Sequence, residues 1–229
     1  MGEFVWKTRI STIQFEPFTF GITPLMQTFV YCFYDLFNQK FYPETFEREF
    51  LTLPDGGTLG FDWEGKRLDP AELSDKPILL MVPGVAGDSD NLYSIALMRE
   101  IRTKFTVVIL LLRGASGVPI TSGKINHCGS WRDIKHATEY IYTSYVQAKG
   151  NVVPAKRTRL YLYGCSLGAT MLGLYLAHEP KETKKMIDGA CLYATIWDFK
   201  NGDEYFYNSY NGWPEWFISM NSVRLIRSH

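Results

Sequence analysis

Two short apolar runs constrain the fold of this chain most. Pro77 to Val82 reads PILLMV and ends at Pro83-Gly84, and Phe105 to Leu112 reads FTVVILLL and ends at Arg113-Gly114. A strand with one wet face alternates apolar and polar residues, whereas a strand covered on both faces is apolar along its length, as in a parallel sheet between two layers of helices. Between the runs, Asn91 to Thr103 has a helical period. The pattern continues: Ser130 to Tyr145 is helical in period, Arg159 to Tyr163 reads as a strand, Ser166 to His178 as a helix stopped by Pro180, and Met186 to Thr195 as a further strand. Upstream, Thr45 to Leu53 and Thr58 to Trp63 alternate on either side of Pro54-Asp55-Gly56-Gly57, the signature of a β-hairpin. The expectation is an α/β fold in which an N-terminal hairpin leads into a mostly parallel sheet with helices on both faces.

Composition narrows the function classes. The chain has 229 residues, 46% of them hydrophobic, with 24 basic residues against 24 acidic ones. That neutral balance gives no electrostatic case for a nucleic-acid partner. Cys32, Cys128, Cys165 and Cys191 are scattered and form no CxxC pair, which argues against a zinc site or a disulfide framework and for a reducing compartment. The first twenty residues lack the basic start, apolar core and cleavage site of a secretory leader. Phe20 to Phe37 is apolar but interrupted by Pro24, Gln27 and Asp35, so it reads as an amphipathic or buried segment and not as a membrane span. The expected location is cytoplasmic or peripherally membrane-associated, not secreted.

The chemistry centres on Gly164-Cys165-Ser166-Leu167-Gly168, a GxSxG string placed where a buried strand gives way to a helix. That setting is required of a nucleophile elbow, because the serine must sit in a strained turn and the flanking positions crowd unless they lack a Cβ. A helix behind it directs its N-terminal dipole at the serine oxygen. Val82-Pro83-Gly84-Val85-Ala86-Gly87 follows the first central strand. An oxyanion hole takes one backbone N–H from the residue after the nucleophile and one from this loop, which are Leu167 and Val85. Read alone, the loop is equally a glycine-rich turn of any doubly wound sheet, and it lacks the spacing of a phosphate-binding loop.

Together these residues resemble the YheT-type branch of the α/β-hydrolases, which includes abhydrolase-domain lipases and medium-chain fatty acid ethyl ester synthase/esterases. The resemblance is carried by Leu53-Pro54-Asp55-Gly56-Gly57 with Phe61-Asp62-Trp63, by Pro83 to Ser89, by Arg113-Gly114-Ala115-Ser116-Gly117-Val118-Pro119 with His127 and Asp133, and by the GxSxG string. It implies an α/β-hydrolase fold, Ser166 as nucleophile, and Val85 and Leu167 as oxyanion donors. It also implies hydrolysis or alcohol transfer of fatty acyl esters without metal or organic cofactor. The expected partner is a lipid or small acyl ester, with peripheral membrane contact.

The triad of this fold runs Ser, acid, His in chain order. Only 63 residues follow Ser166 (229 − 166), so the last strands, with the acid and base they carry, are expected to be missing, and the chain reads as a C-terminally truncated member. Asp198 and His229 are the candidates left for acid and base. Trp197 to Phe217 holds nine aromatics and lies where this fold inserts a lid. The expected organisation is an N-terminal extension over 1–43 and a partial hydrolase domain over 44–229, with 197–222 as lid segment. The rival reading is an inactive α/β-hydrolase that binds lipid or protein.

Overall fold

The computed structural model describes residues 43–69, 76–85, 87–147 and 158–208 continuously, with isolated positions in 26–37 and 212–223. The chain divides into two compact units, Met1–Pro43 and Glu44–His229. In the first, the described positions from Met26 to Phe37 are helical, and Phe33, Tyr34 and Phe37 are exposed. No described helix is long and apolar enough to cross a membrane.

The second unit is built on one six-stranded sheet. Strand β1 (Phe46–Thr52) and β2 (Thr58–Glu64) form the expected antiparallel hairpin, in register from Phe46 opposite Glu64 to Thr52 opposite Thr58. Then follow β3 (Ile78–Val82), α1 (Leu92–Ile101), β4 (Thr106–Leu111), α2 (Trp131–Ile141), β5 (Leu160–Cys165), α3 (Leu167–His178), α4 (Pro180–Met186), β6 (Gly189–Tyr193) and α5 (Phe199–Asn208). The spatial order is β1-β2-β4-β3-β5-β6, with β2 antiparallel to β4 and the other pairs parallel.

The two apolar runs are β3 and β4, at the centre of the sheet and buried throughout apart from Thr106. Their side chains alternate between two cores. Ile78, Leu80, Val82, Val108 and Leu110 pack with residues of α2 and α3 on one face. Leu79, Met81, Val107 and Ile109 meet Met98 of α1 on the other. This is why neither run shows a polar alternation.

Two elements differ from the sequence expectation. The helix after β4 does not continue evenly to Tyr145: α2 ends at Ile141, and Tyr142–Val146 form a wider π turn that buries Tyr145 and Val146. Pro180 does not only stop α3 but starts α4. A proline at the first helical position forfeits no helical hydrogen bond and has a preset φ. That short helix takes up the start of the expected Met186–Thr195 strand, so β6 is only Gly189–Tyr193.

Candidate active site

The strand order itself creates a crevice. From β3 the chain moves through α1 to β4 on one side, and from β5 through α3 to β6 on the other. Right-handed crossovers in opposite directions put α1 and α3 on opposite faces, as the two cores record. The loops leaving the carboxyl ends of the neighbouring strands β3 and β5 therefore diverge, the usual place for a binding site in an open α/β sheet.

Ser166 stands at this point. It alone joins β5 to α3, with φ 52° and ψ −116°, a backbone state costing about 1–3 kcal/mol for a residue with a Cβ. Hydrogen bonds on both sides hold it there. Its N–H donates to Tyr193 O of β6 at 2.9 Å, and its carbonyl accepts from Thr170 N at 3.0 Å and Thr170 Oγ1 at 3.2 Å. Thr170 Oγ1 also accepts from Ile196 N at 3.2 Å, tying the segment after β6 to the same turn.

The flanking glycines are needed for different reasons. A Cβ on Gly164 would lie 2.6 Å from Ala169 Cα and 2.8 Å from Gly168 O, a clash across the elbow itself. A Cβ on Gly168 would instead lie 2.3 Å from Val82 O and 2.4 Å from Pro83 O. Gly168 thus allows the start of α3 to press against the end of β3, which brings the β3 loop to the serine. A Cβ placed on Gly84 would be 3.8 Å from Ser166 Oγ.

The loop after β3 is shaped from within. Gly87 N donates to Gly84 O at 3.0 Å, and Gly84 N donates to Tyr93 Oη at 3.0 Å. The Gly84 amide is therefore occupied, while the amides of Val85 and Leu167 donate to no acceptor among the described residues. Ala86 lies outside the described residues. Nothing in the sequence singles out Tyr93, because its role depends on a contact across nine residues.

The motif residues away from the serine form two ion-pair networks that anchor the surrounding loops. Asp62, 1% exposed, takes both Arg48 Nε at 2.6 Å and Nη2 at 2.7 Å, and accepts from Ser89 Oγ at 2.5 Å. Arg48 also donates to Ser116 O. One buried carboxylate thus fastens the loops after β3 and β4 to the hairpin. In the second network Arg113 makes a two-pronged bond to Asp133 at 2.7 and 2.8 Å and reaches Asp55 at 3.0 Å. A Cβ on Gly57 would meet Arg113 Nη1 at 2.1 Å, so the second glycine of the hairpin turn makes room for that guanidinium. The Asp133 hydrogen bond is the main cause that raises the Arg113 pKa, and the Arg113 hydrogen bond holds the Asp55 carboxyl well below its ordinary range.

Beside the serine, burial pushes the Cys165 thiol up and the Tyr163 phenol up to about 12, so both are neutral at ordinary pH. No described histidine accompanies Ser166. His127 Nδ1 accepts from Gly129 N at 3.1 Å, His136 lies 3.7 Å from Glu139, and His178 bonds Leu174 O and stacks on Trp131 at 4.7 Å. His229 lies outside the described residues. Asp198 is exposed, and its carboxylate accepts from Asn201 N at 3.0 Å and Nδ2 at 2.5 Å, as a cap on α5. In the segment expected as a lid, α5 is helical, and Trp197, Phe199, Tyr207 and Trp216 are exposed. Tyr210, Trp213 and Phe217 lie outside the described residues, and the side chains of Tyr205 and Phe206 are not described.

A cavity of about 450 Å³ opens elsewhere, at the carboxyl end of β4, between the hairpin turn and the start of α2. Ser166, Val85 and Leu167 do not line it.

No family model matches the chain. A monoacylglycerol lipase of Saccharomyces cerevisiae is 29% identical over 168 residues, 70% of this chain and 34% of that protein. The embryogenesis-associated protein EMB8 of Picea glauca is 28% identical over 135 residues, 56% of this chain and 27% of that one. The chain thus spans about a quarter to a third of the length of these curated relatives. Among solved structures, Pyrococcus furiosus esterase Pf2001 superimposes with a TM-score of 0.55 at 17% identity, over 82% of this chain and 63% of that one. Naproxen esterase from Bacillus subtilis gives 0.50 at 13% identity, over 77% and 53%. The chain has the α/β-hydrolase fold.

Proposed function

We propose that this chain carries the nucleophile and oxyanion hole of a serine carboxylic ester hydrolase of the YheT type, acting on lipid or short- to medium-chain acyl esters. The observation that carries the reading is the strained backbone of Ser166 at the β3/β5 crevice, with the amides of Val85 and Leu167 donating to no acceptor among the described residues. In this reading Ser166 Oγ attacks the ester carbonyl. The carbonyl oxygen becomes an alkoxide held by the N–H groups of Val85 and Leu167, the second reinforced by the dipole of α3. Neither amide has an acceptor among the described residues, so neither need give up a bond as charge develops. The leaving alcohol departs with a proton, and water then releases the acid from Ser166. Tyr93 acts as a positioning residue by occupying the Gly84 amide, which leaves Val85 to turn its own toward the oxyanion.

The proton acceptor is the open part of the mechanism. Asp198 and His229 are the candidates within these 229 residues, but the Asp198 carboxylate is exposed and taken up by Asn201 in capping α5, so this reading assigns acid and base to neither. The exposed aromatics of 197–222 fit a lid that grips an acyl chain, which agrees with the lipase name of the yeast relative. The reading is tested with a fluorophosphonate probe on the chain joined to the acid- and base-bearing C-terminal part of a related esterase, and on the Ser166→Ala variant of that fusion. Labelling should be confined to Ser166 and abolished by the substitution with the melting temperature kept. Labelling that survives in the variant overturns the assignment.

A further inference from the structure

The cavity at the end of β4 is not lined by Ser166, Val85 or Leu167, and its wall carries more positive than negative charge. Arg113, Lys124 and Arg132 face Asp55 and Asp133, with His127 and His136 beside them. The two carboxylates are already satisfied. Asp133 is spanned by the Arg113 fork, and Asp55 receives Arg113 Nη1, Lys124 Nζ at 3.2 Å and Gly57 N at 3.0 Å. Arg113 and Lys124 therefore cancel Asp55 and Asp133, and Arg132 is the surplus charge. Its guanidinium lies 4.7 Å from the centre of the Trp131 ring and forms no ion pair among the described residues.

Neutral donors add to this charge. His127 Nδ1 accepts the Gly129 amide, so the uncharged ring carries its proton on Nε2 and can donate there. Ser130, the residue before α2, spends its hydroxyl on the His127 amide at 3.1 Å and does not cap the helix. The amides of Trp131 and Arg132 are left without acceptors among the described residues.

The geometry points to a binding site for a phosphate group in this cavity. The Arg113 fork is taken by Asp133, which leaves the Arg132 guanidinium, the His127 Nε2–H and the two amides to meet a ligand. What remains is an array of separate donors on the 124–130 loop and the start of α2, which suits a tetrahedral group with several oxygens. The volume of about 450 Å³ also leaves room for what the phosphate is attached to. The phosphate could belong to a soluble phosphorylated solute or to a lipid head group. The inference does not rest on Ser166 being catalytic.

The test is binding to the 229-residue chain and to Ser166→Ala, with glycerol 3-phosphate as probe by calorimetry, and glycerol as the uncharged control. A second arm measures flotation with phosphatidylcholine vesicles with and without phosphatidic acid. Saturable binding of either phosphate form, equal in Ser166→Ala, is expected. Arg132→Gln should weaken it by about tenfold or more, and Arg132→Lys should restore most of the affinity. Binding of the solute alone assigns the site to a soluble ligand, and binding of the phosphatidic acid vesicles alone assigns it to a lipid head group. Either supports the proposal. No saturable binding in both arms, or binding unchanged in Arg132→Gln, overturns it.

Discussion

At the scale of single residues, the two glycines around Ser166 look alike in sequence but do different work. Gly164 relieves a clash within the elbow, and Gly168 lets α3 approach the carbonyls of Val82 and Pro83. Because the atoms in the way of a Gly168 Cβ are backbone, they cannot swing aside as a flexible side chain could. Gly168→Ala should therefore cost about 1–3 kcal/mol, the usual range for overpacking, and should also lower probe labelling by displacing the β3 loop from Ser166. Gly173, one and a half turns further along α3, is the control, since a Cβ there would meet Leu192 Cδ1 at an ordinary 3.5 Å. Gly173→Ala should be neutral or stabilise by up to about 1 kcal/mol through helix propensity. Paired urea melts measure both. Equal effects at the two positions would remove the packing argument for Gly168. The need for glycine was legible in the GxSxG string because it follows from local geometry, but the identity of the obstructing strand was not, since β3 lies more than eighty positions away.

At the scale of elements, legibility followed how local each signal was. The central strands β3 and β4 announced themselves because burial on both faces removes polar alternation, and the hairpin because Asp55-Gly56-Gly57 supplies its own turn. The π turn after α2 left no such mark: its cause is tertiary, with Tyr145 Oη donating to Glu49 on β1 at 2.9–3.0 Å and its ring against Trp63 at 4.6 Å. The pairing of Asp62 with Arg48 and Ser89 is of the same kind, as three ordinary polar residues became a clamp only once the hairpin and the loop after β3 met. Removing one partner from a buried, bidentate ion pair leaves the other charge uncompensated, at a cost of about 3–5 kcal/mol. Arg48 is one-third exposed, so water relieves part of that penalty and Asp62→Asn should fall at the lower end of the range. The same variant should reduce fluorophosphonate labelling of Ser166, because a single amide oxygen must then serve both Arg48 and Ser89, which weakens the anchor of the β3 loop. Denaturation and labelling rate are read on the same sample. Full labelling speed in a destabilised variant would show that the clamp supports the fold without setting the loop after β3.

At the scale of the whole molecule, the question is what would complete the chemistry proposed for Ser166. An elbow and two amides arise from a strand, a turn and a helix in direct succession, which is why they could be read from sequence. The base must come from a distant part of the chain, and three of the four histidines are now accounted for. His127 faces a different cavity, His136 sits beside Glu139 on α2, and His178 ends α3 against Trp131. The remaining imidazole is His229. In a subtilisin, loss of the histidine alone lowers turnover by about 10⁶, while the oxyanion hole and substrate binding still give roughly 10³ to 10⁴ over water. The expectation for the 229-residue chain is that residual level on p-nitrophenyl butyrate, unchanged by His229→Ala or Asp198→Ala. The companion measurement joins the chain to the C-terminal part of a related esterase, which should raise turnover by several orders of magnitude through a supplied acid and base. Turnover by the short chain within about tenfold of that fusion, lost on His229→Ala, would instead show that the last residue reaches the elbow and that the triad is closed within these 229 residues.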